Sequence, residues 1–173
     1  MILMWQKLLE PNLGMVPGSP NYDDQDCYQM HGYVKKKNRW TFYDNRFIVL
    51  TLKWMINADA GFTDTRCKEF QFKKFLWRAP LAALRQVDID KEGEMISLKM
   101  KFDLDMQTKI LTDYGFKVDK KAKIKEKRKL LFSDLHTAQN FVYQLARLSH
   151  FLTNTNGCKY EYKDLLVVKG EKV

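Results

Sequence analysis

The strongest indication of the fold comes from two stretches, Gly32-Tyr33-Val34-Lys35-Lys36-Lys37 and Arg46-Phe47-Ile48-Val49-Leu50. Both are rich in aromatic and β-branched residues, which favour strands, and Trp40 to Asp44 lies between them. The sequence therefore predicts a basic antiparallel hairpin with strands over Tyr28 to Lys36 and Asn45 to Leu52.

The composition indicates one folded domain with a basic surface. The 173 residues, 45% of them hydrophobic, are enough for one core. Lys and Arg outnumber Asp and Glu by 30 to 21, and the net charge of +9 favours nucleic acid, an anionic membrane or an acidic filament as the partner.

Cys27, Cys67 and Cys158 are too scattered for a zinc site or a disulfide framework, which fits a reducing cytoplasm. No apolar run reaches the ~20 residues that span a bilayer, so we expect a soluble protein.

Two more strands are predicted directly after the hairpin. Trp54 to Ile56 is a short third strand, Asn57 to Thr65 is a polar loop, and Lys68 to Trp77 is a fourth strand. In the fourth strand the apolar positions change parity across Lys73-Lys74. A β-bulge is predicted there, because one extra residue restores the alternation.

The second half of the sheet begins after Pro80. Arg85 to Ile89 is predicted to be a strand, and a turn at Lys91-Glu92-Gly93 leads into Glu94 to Phe102, whose strict alternation predicts one buried face. Asp103 to Phe116 fits no single period and is interpreted as an inserted hairpin. Leu130 to Phe132 is the last predicted strand of the sheet.

Ser133 to Leu152 is predicted to form the closing helix. Ser133 is the expected N-cap, and Asp134 suits the positive end of the helix dipole. Apolar residues recur at three- and four-residue spacing, namely Leu135, Ala138, Phe141, Val142, Leu145, Leu148, Phe151 and Leu152. This stripe is expected to cover the sheet.

Both ends of the chain differ from this core. Met1 to Leu9 predicts one or two helical turns, and residues 11–26 have the Pro, Gly, Asn and Asp content of a linker. The residues predicted to dock a partner are Ile2, Leu3, Trp5, Leu8 and Leu9. The expected division is 1–26 for this segment and linker, 27–157 for the folded domain, and 158–173 for a final strand or docking arm.

About seven strands followed by one amphipathic helix resembles the pleckstrin-homology superfold. Residues 32–36 resemble its first strand and residues 46–50 its second. The series Arg46 to Thr51, Arg78 to Val87 and Glu94 to Met100 is most similar to the tail-homology domain of class I myosins. Over residues 27–162, the resemblance implies an α+β barrel or sandwich of about seven antiparallel strands, capped by one C-terminal helix.

Domains of this kind commonly hold phosphoinositide headgroups with basic side chains of the first two strands. The resemblance implies an anionic-ligand site made of Lys35, Lys36, Lys37, Arg39 and Arg46. Asp44 stands where a basic residue is expected, and it would repel a phosphate unless Lys37 and Arg39 compensate. A solvated basic hairpin is the alternative.

A second concentration of charge runs from Lys117 to Lys129. Eight basic residues minus two acidic ones leave it with +6 of the net +9. The residues predicted to bind an acidic surface are Lys117, Lys120, Lys121, Lys123, Lys125, Lys127, Arg128 and Lys129. An extended run would place alternate lysines on one face, whereas a solvated loop or a protective edge strand is the alternative. Nucleic acid is not the expected partner, because aromatic residues do not interleave with this run.

The motifs give no support for catalysis. The sequence has no Gly-rich phosphate loop, no paired Cys/His spacing and no nucleophile motif, so we expect no enzyme activity, metal or cofactor. Two functions stay open. One is an adaptor at an anionic, phosphoinositide-containing membrane. The other is a structural component of a cytoskeletal or axonemal microtubule assembly, in the cytoskeleton or cilium, that does not bind lipid.

Overall fold

The computed structural model describes residues 17–18, 22–24, 26–37, 43–62, 70–118, 124–154 and 167–170. They form an eight-stranded sheet and two α-helices. The strands are β1 (Tyr28–Lys37), β2 (Tyr43–Thr51), β3 (Trp54–Phe62), β4 (Phe70–Pro80), β5 (Leu84–Glu92), β6 (Met95–Phe102), β7 (Lys127–Phe132) and β8 (Val167–Gly170). The helices are α1 (Leu104–Asp113) and α2 (Leu135–Asn154), and one 3-10 turn, Leu81–Ala83, joins β4 to β5.

The sheet consists of two halves that pack on each other. Its strand order is β4-β3-β2-β1-β7-β6-β5-β8, antiparallel throughout except that β8 runs parallel to β5. The β1–β4 half joins the β5–β8 half where β1 pairs with β7, at Lys35 and Leu131. Trp77 of β4 and Arg128 of β7 meet across the interior, with 4.1 Å between the guanidinium carbon and the ring centroid. This architecture confirms the predicted α+β, pleckstrin-homology-like fold.

The strand with the clearest alternation is confirmed. In β6 the core-facing residues are Ile96, Leu98, Met100 and Phe102, while Lys99 and Lys101 are exposed. Gly93 occupies the turn before β6 with φ 63°, a left-handed conformation that favours glycine. The period of two in the sequence therefore predicted both the strand and its buried face.

Helix α2 covers the core with the predicted apolar stripe as far as Leu148, and the side chains of Phe151 and Leu152 are outside the described residues. Phe141 is fully buried, and its ring centroid lies 5.3 Å from that of Phe132 on β7. The predicted N-cap was wrong by one residue, because the helix begins at Leu135 and Asp134 caps it. The Asp134 carboxylate accepts from the Thr137 N–H at 2.7 Å and from the Thr137 hydroxyl at 2.8 Å, which satisfies a backbone donor of the first turn.

The third strand is longer than predicted. Residues 57–62 continue β3, although the sequence indicated a loop from Asn57 to Thr65. Pairing with β2 and β4 on both sides satisfies this backbone, so the tertiary context overrides the polar composition. The predicted bulge in β4 is confirmed at Lys73, and a second register shift places another extra residue at Leu76.

The segment after β6 is a helix, so the predicted hairpin over Asp103 to Phe116 was wrong. Asp103 caps α1 by accepting from the Met106 N–H at 2.9 Å. The buried face of α1 contains Gln107, Ile110 and Leu111. Because a glutamine occupies the buried face, the apolar period was too weak to show in the sequence.

Candidate anion-binding surface

Two basic segments that are distant in the sequence become neighbours because β1 pairs with β7. Lys35 lies opposite Leu131, and alternation places Lys37, Lys127 and Lys129 on the same outer face. We call Lys35, Lys37, Lys127 and Lys129 the basic surface. It contains lysines from both of the basic sets that were predicted as separate sites, one in the hairpin and one in residues 117–129.

Three of the four lysines of the basic surface keep their positive charge available to a partner, whereas a carboxylate neutralises the fourth, Lys129. Lys37 and Lys127 are exposed. Lys35 Nζ donates to Asn45 Oδ1 at 2.6 Å, and this neutral amide leaves the positive charge in place. Lys129 forms an ion pair with Glu92, and both side chains are substantially exposed.

Lysines further along the β5–β8 half are neutralised by carboxylates. Lys99 forms an ion pair with Asp90, which raises the pKa of the lysine, and Lys101 lies 3.6 Å from Glu126. Both lysines alternate onto the outer face of β6. This part of the sheet therefore contributes less to the positive field than its lysine content suggests.

The predicted headgroup site is divided between two faces of the hairpin. Lys36 pairs in register with Asp44, and Arg46 pairs with buried Val34, so Lys36 and Arg46 lie on the inner face. Lys35 and Lys37 lie on the outer face, and Arg39 is outside the described residues. The five predicted residues therefore do not all converge on one pocket.

Arg46 already has two carboxylate partners. Its guanidinium lies 3.4 Å from Asp44 and 3.7 Å from Asp59, and its side chain is 19% exposed. A phosphate at this position would have to compete with two carboxylates. The expectation that Asp44 disfavours a headgroup agrees with this geometry, and Asp59 is a further obstacle that the sequence did not reveal.

Arg128 was wrongly assigned to the acidic-surface-binding set. It is 7% exposed, its guanidinium stacks on Trp77, and burial lowers its pKa to about 10. The edge-strand alternative was also wrong, since β7 lies between β1 and β6. Lys117 and Lys125 are exposed outside the strand, whereas Lys120, Lys121 and Lys123 are outside the described residues.

No protein-family model matches the sequence, and comparison with curated proteins finds no significant relative. Among solved structures, the chain is similar to the hSac2 domain from human phosphoinositide phosphatase Sac2. The TM-score is 0.52 at 8% identity, over 99% of this chain and 90% of the other. The likeness concerns the fold. Similarity to class I myosin tail domains stays a prediction.

The N-terminal docking residues Ile2, Leu3, Trp5, Leu8 and Leu9 are outside the described part of the chain, so their role also stays a prediction. The division into segments 1–26, 27–157 and 158–173 likewise stays a prediction. Within the predicted C-terminal arm, Val167–Gly170 is described as strand β8.

A buried charge cluster, which the sequence did not predict, joins three segments at the other end of β1. It consists of Asp23, Asp26, Thr51, Lys53 and Tyr114. Lys53 Nζ lies 2.6 Å from Asp23 Oδ2, which also accepts from the Tyr114 hydroxyl at 2.8 Å. These contacts anchor the segment before β1 to the β2–β3 turn and to the segment after α1.

Asp26 is the deepest acid of this cluster. It accepts from the Thr51 hydroxyl at 3.0 Å and from the Lys53 N–H at 3.1 Å. Burial raises its pKa from 3.8 to about 6, although both hydrogen bonds act in the opposite direction. The cluster holds its own counter-charges, which indicates a structural role rather than a ligand site.

Proposed function

We propose that this protein is a non-enzymatic adaptor module that binds anionic phospholipid membranes through the basic surface. The observation that carries the proposal is the pairing of β1 with β7, which places Lys35, Lys37, Lys127 and Lys129 on one outer face. Each basic residue near an anionic bilayer contributes about 1 kcal/mol. Lys35, Lys37 and Lys127 together therefore contribute about 3 kcal/mol of attraction, which salt screening reduces.

The proposed binding responds to surface charge density rather than to the stereochemistry of a headgroup. Arg46, the arginine expected in a headgroup pocket, is engaged by Asp44 and Asp59. The similar hSac2 domain comes from a phosphoinositide phosphatase, which supports a lipid-related setting. The adaptor role and the class I myosin likeness belong to this proposal and are based on the sequence.

Vesicle cosedimentation tests the proposal. The vesicles contain phosphatidylcholine alone, phosphatidylcholine with phosphatidylserine, or phosphatidylcholine with a phosphoinositide at the same surface charge. Lys37→Glu/Lys127→Glu should weaken binding to both anionic vesicles by at least about tenfold, since each reversal removes one favourable charge and adds an unfavourable one. Equal affinity for the two kinds of anionic vesicle is expected if binding depends on surface charge density alone.

The matched control is Lys109→Glu/Arg147→Glu, which makes the same charge change at exposed positions of α1 and α2. It should weaken binding far less. Unchanged binding by Lys37→Glu/Lys127→Glu, or equal losses in the two variants, would overturn the proposal.

The cytoskeletal alternative is tested in the same experiment by an arm with microtubules. Pelleting with microtubules and not with anionic vesicles would replace the membrane proposal with the filament one. None of the helices within the described residues is both long enough and apolar enough to cross a bilayer.

A further inference from the structure

The outer face of the β1–β4 half carries three partly exposed aromatic side chains around the fully buried Phe47 and Ala58. Register places Tyr33 opposite Phe47, Phe47 opposite Ala58, and Ala58 opposite Phe75, so these residues share one face. Tyr43 joins the same face because it lies opposite Lys37. Tyr33, Tyr43 and Phe75 are 42%, 41% and 41% exposed. We call these three residues the aromatic face.

The aromatic face is continuous with the basic surface. Lys35 and Lys37 alternate with Tyr33 along β1, so they border both. Asp44 and Asp59, the carboxylates of these strands, lie on the opposite, inner face with Arg46. Along the described strand residues of β1–β4, the outer face therefore carries cationic and aromatic side chains without a carboxylate.

We propose that the aromatic face enters the headgroup region of an anionic bilayer and adds a salt-resistant component to binding. Tyrosine and other aromatic side chains favour the membrane–water interface, because one part of the ring is apolar and another is polar or polarisable. Bordering lysines extend their amines to phosphates while their alkyl stems lie along apolar surface. This inference rests on the proposed function and identifies which part of the protein penetrates.

The ring geometry favours a membrane over single-stranded nucleic acid. Tyr33 meets Phe47 edge-on at 67°, and Phe72 meets Phe75 at 63°, with centroids 5.3 and 4.9 Å apart. In each pair the edge of one ring covers the face of the other, whereas base stacking needs open ring faces. The bilayer therefore suits both the charge and the shape of this face.

The test compares Tyr43→Ser/Phe75→Ser with Leu104→Ser/Tyr143→Ser. The control pair also removes two large exposed side chains, 43% and 65% exposed, from α1 and α2. Pelleting with phosphatidylserine vesicles is measured at low and high salt, and thermal unfolding checks that each variant is folded. Tyr43→Ser alone is the milder variant if the double one unfolds.

The aromatic variants should keep most low-salt binding, which depends on charge, and lose at least about fivefold at high salt, where charge is screened. The control pair should match the wild type at both salt concentrations. Wild-type binding at high salt by the aromatic variants, or no wild-type binding at high salt, would overturn this inference and leave the proposed function standing. If Lys37→Glu/Lys127→Glu binds normally at low salt, the proposed function itself fails. Capture of a single-stranded oligonucleotide in place of vesicles would overturn both.

Discussion

The buried charge cluster and the basic surface contain the same kinds of residue under opposite conditions. In the cluster, Asp23 and Lys53 are 15% and 12% exposed and lie 2.6 Å apart. At the basic surface, Lys37 and Lys127 are exposed on strands that meet at the sheet junction. The position of the carboxylates relative to the lysines, rather than the number of lysines, therefore determines whether a positive charge stabilises the fold or is available to a partner.

The largest expected effect is a change in the free energy of unfolding when the buried charge cluster is altered. Asp26→Asn should stabilise the protein at pH 7.5 by up to about 3 kcal/mol, because the pKa of Asp26 is raised from 3.8 to about 6 and one unit corresponds to about 1.36 kcal/mol. The asparagine can still accept the Lys53 N–H. Urea unfolding monitored by tryptophan fluorescence measures the change.

The pH dependence of the same variant has a defined sign. A raised carboxyl pKa means that ionisation is penalised in the folded state, so the penalty is absent below pH 4 and complete above pH 6. The gain from Asp26→Asn should therefore appear between these values. Asp24→Asn, a charge-matched change at an exposed neighbour, should show no such step. A destabilised Asp26→Asn protein at pH 7.5 would contradict the account of burial.

The next effect concerns lysines that carboxylates neutralise. Asp90→Asn/Glu92→Gln removes the partners of Lys99 and Lys129, and it should tighten binding to anionic vesicles by roughly fivefold for each lysine released. The control Asp24→Asn/Asp105→Asn removes the same charge at exposed positions elsewhere. Equal tightening in both variants would show that net charge, and not its location, governs binding.

A smaller effect is expected from the reverse change on the basic surface. Asn45→Asp places a carboxylate where Lys35 Nζ already donates at 2.6 Å, so it should neutralise this lysine as Glu92 does Lys129. Vesicle affinity should fall by about fivefold. Asn45→Ser removes the hydrogen bond without adding charge, and a similar fall in that variant would point to lost positioning instead.

The smallest effect is expected from an exposed carboxylate that acts only on its own helix. Asp134→Ala should lower the melting temperature slightly at pH 7, because the Thr137 N–H loses its acceptor, and leave vesicle binding unchanged. Hydrogen bonds from Thr137 lower the pKa of Asp134, so its contribution is present above the ordinary pKa and is lost as pH falls through the lowered one. A difference between wild type and variant that persists at very acidic pH would refute this assignment.

The sequence predicted the parts of the fold that local periodicity controls. The period of two in β6 and the stripe of α2 both follow from one buried face, and the parity change across Lys73-Lys74 predicted a bulge. Strand alternation could also have predicted that Arg128 is buried. Leu130 and Phe132 face the core, so alternation along β7 turns Arg128 inward.

The features that the sequence missed depend on distant residues. Helix α1 buries Gln107, whose Nε2 donates to the Lys125 carbonyl at 3.1 Å, so its buried face did not look apolar. The cap at Asp103 was the available signal for that helix. The buried charge cluster joins Asp23 to Tyr114, and the basic surface requires β1 to lie beside β7. Neither pairing leaves a local pattern.

The contact between Arg128 and Trp77 gives the protein an intrinsic fluorescence probe. A cation 4.1 Å from the indole centroid interacts with the electrons of the ring. Because one residue belongs to β4 and the other to β7, the emission of Trp77 should change when the two halves of the sheet move apart, and replacing the other three tryptophans isolates this emission. Opening of the fold can then be followed in real time without attaching a dye.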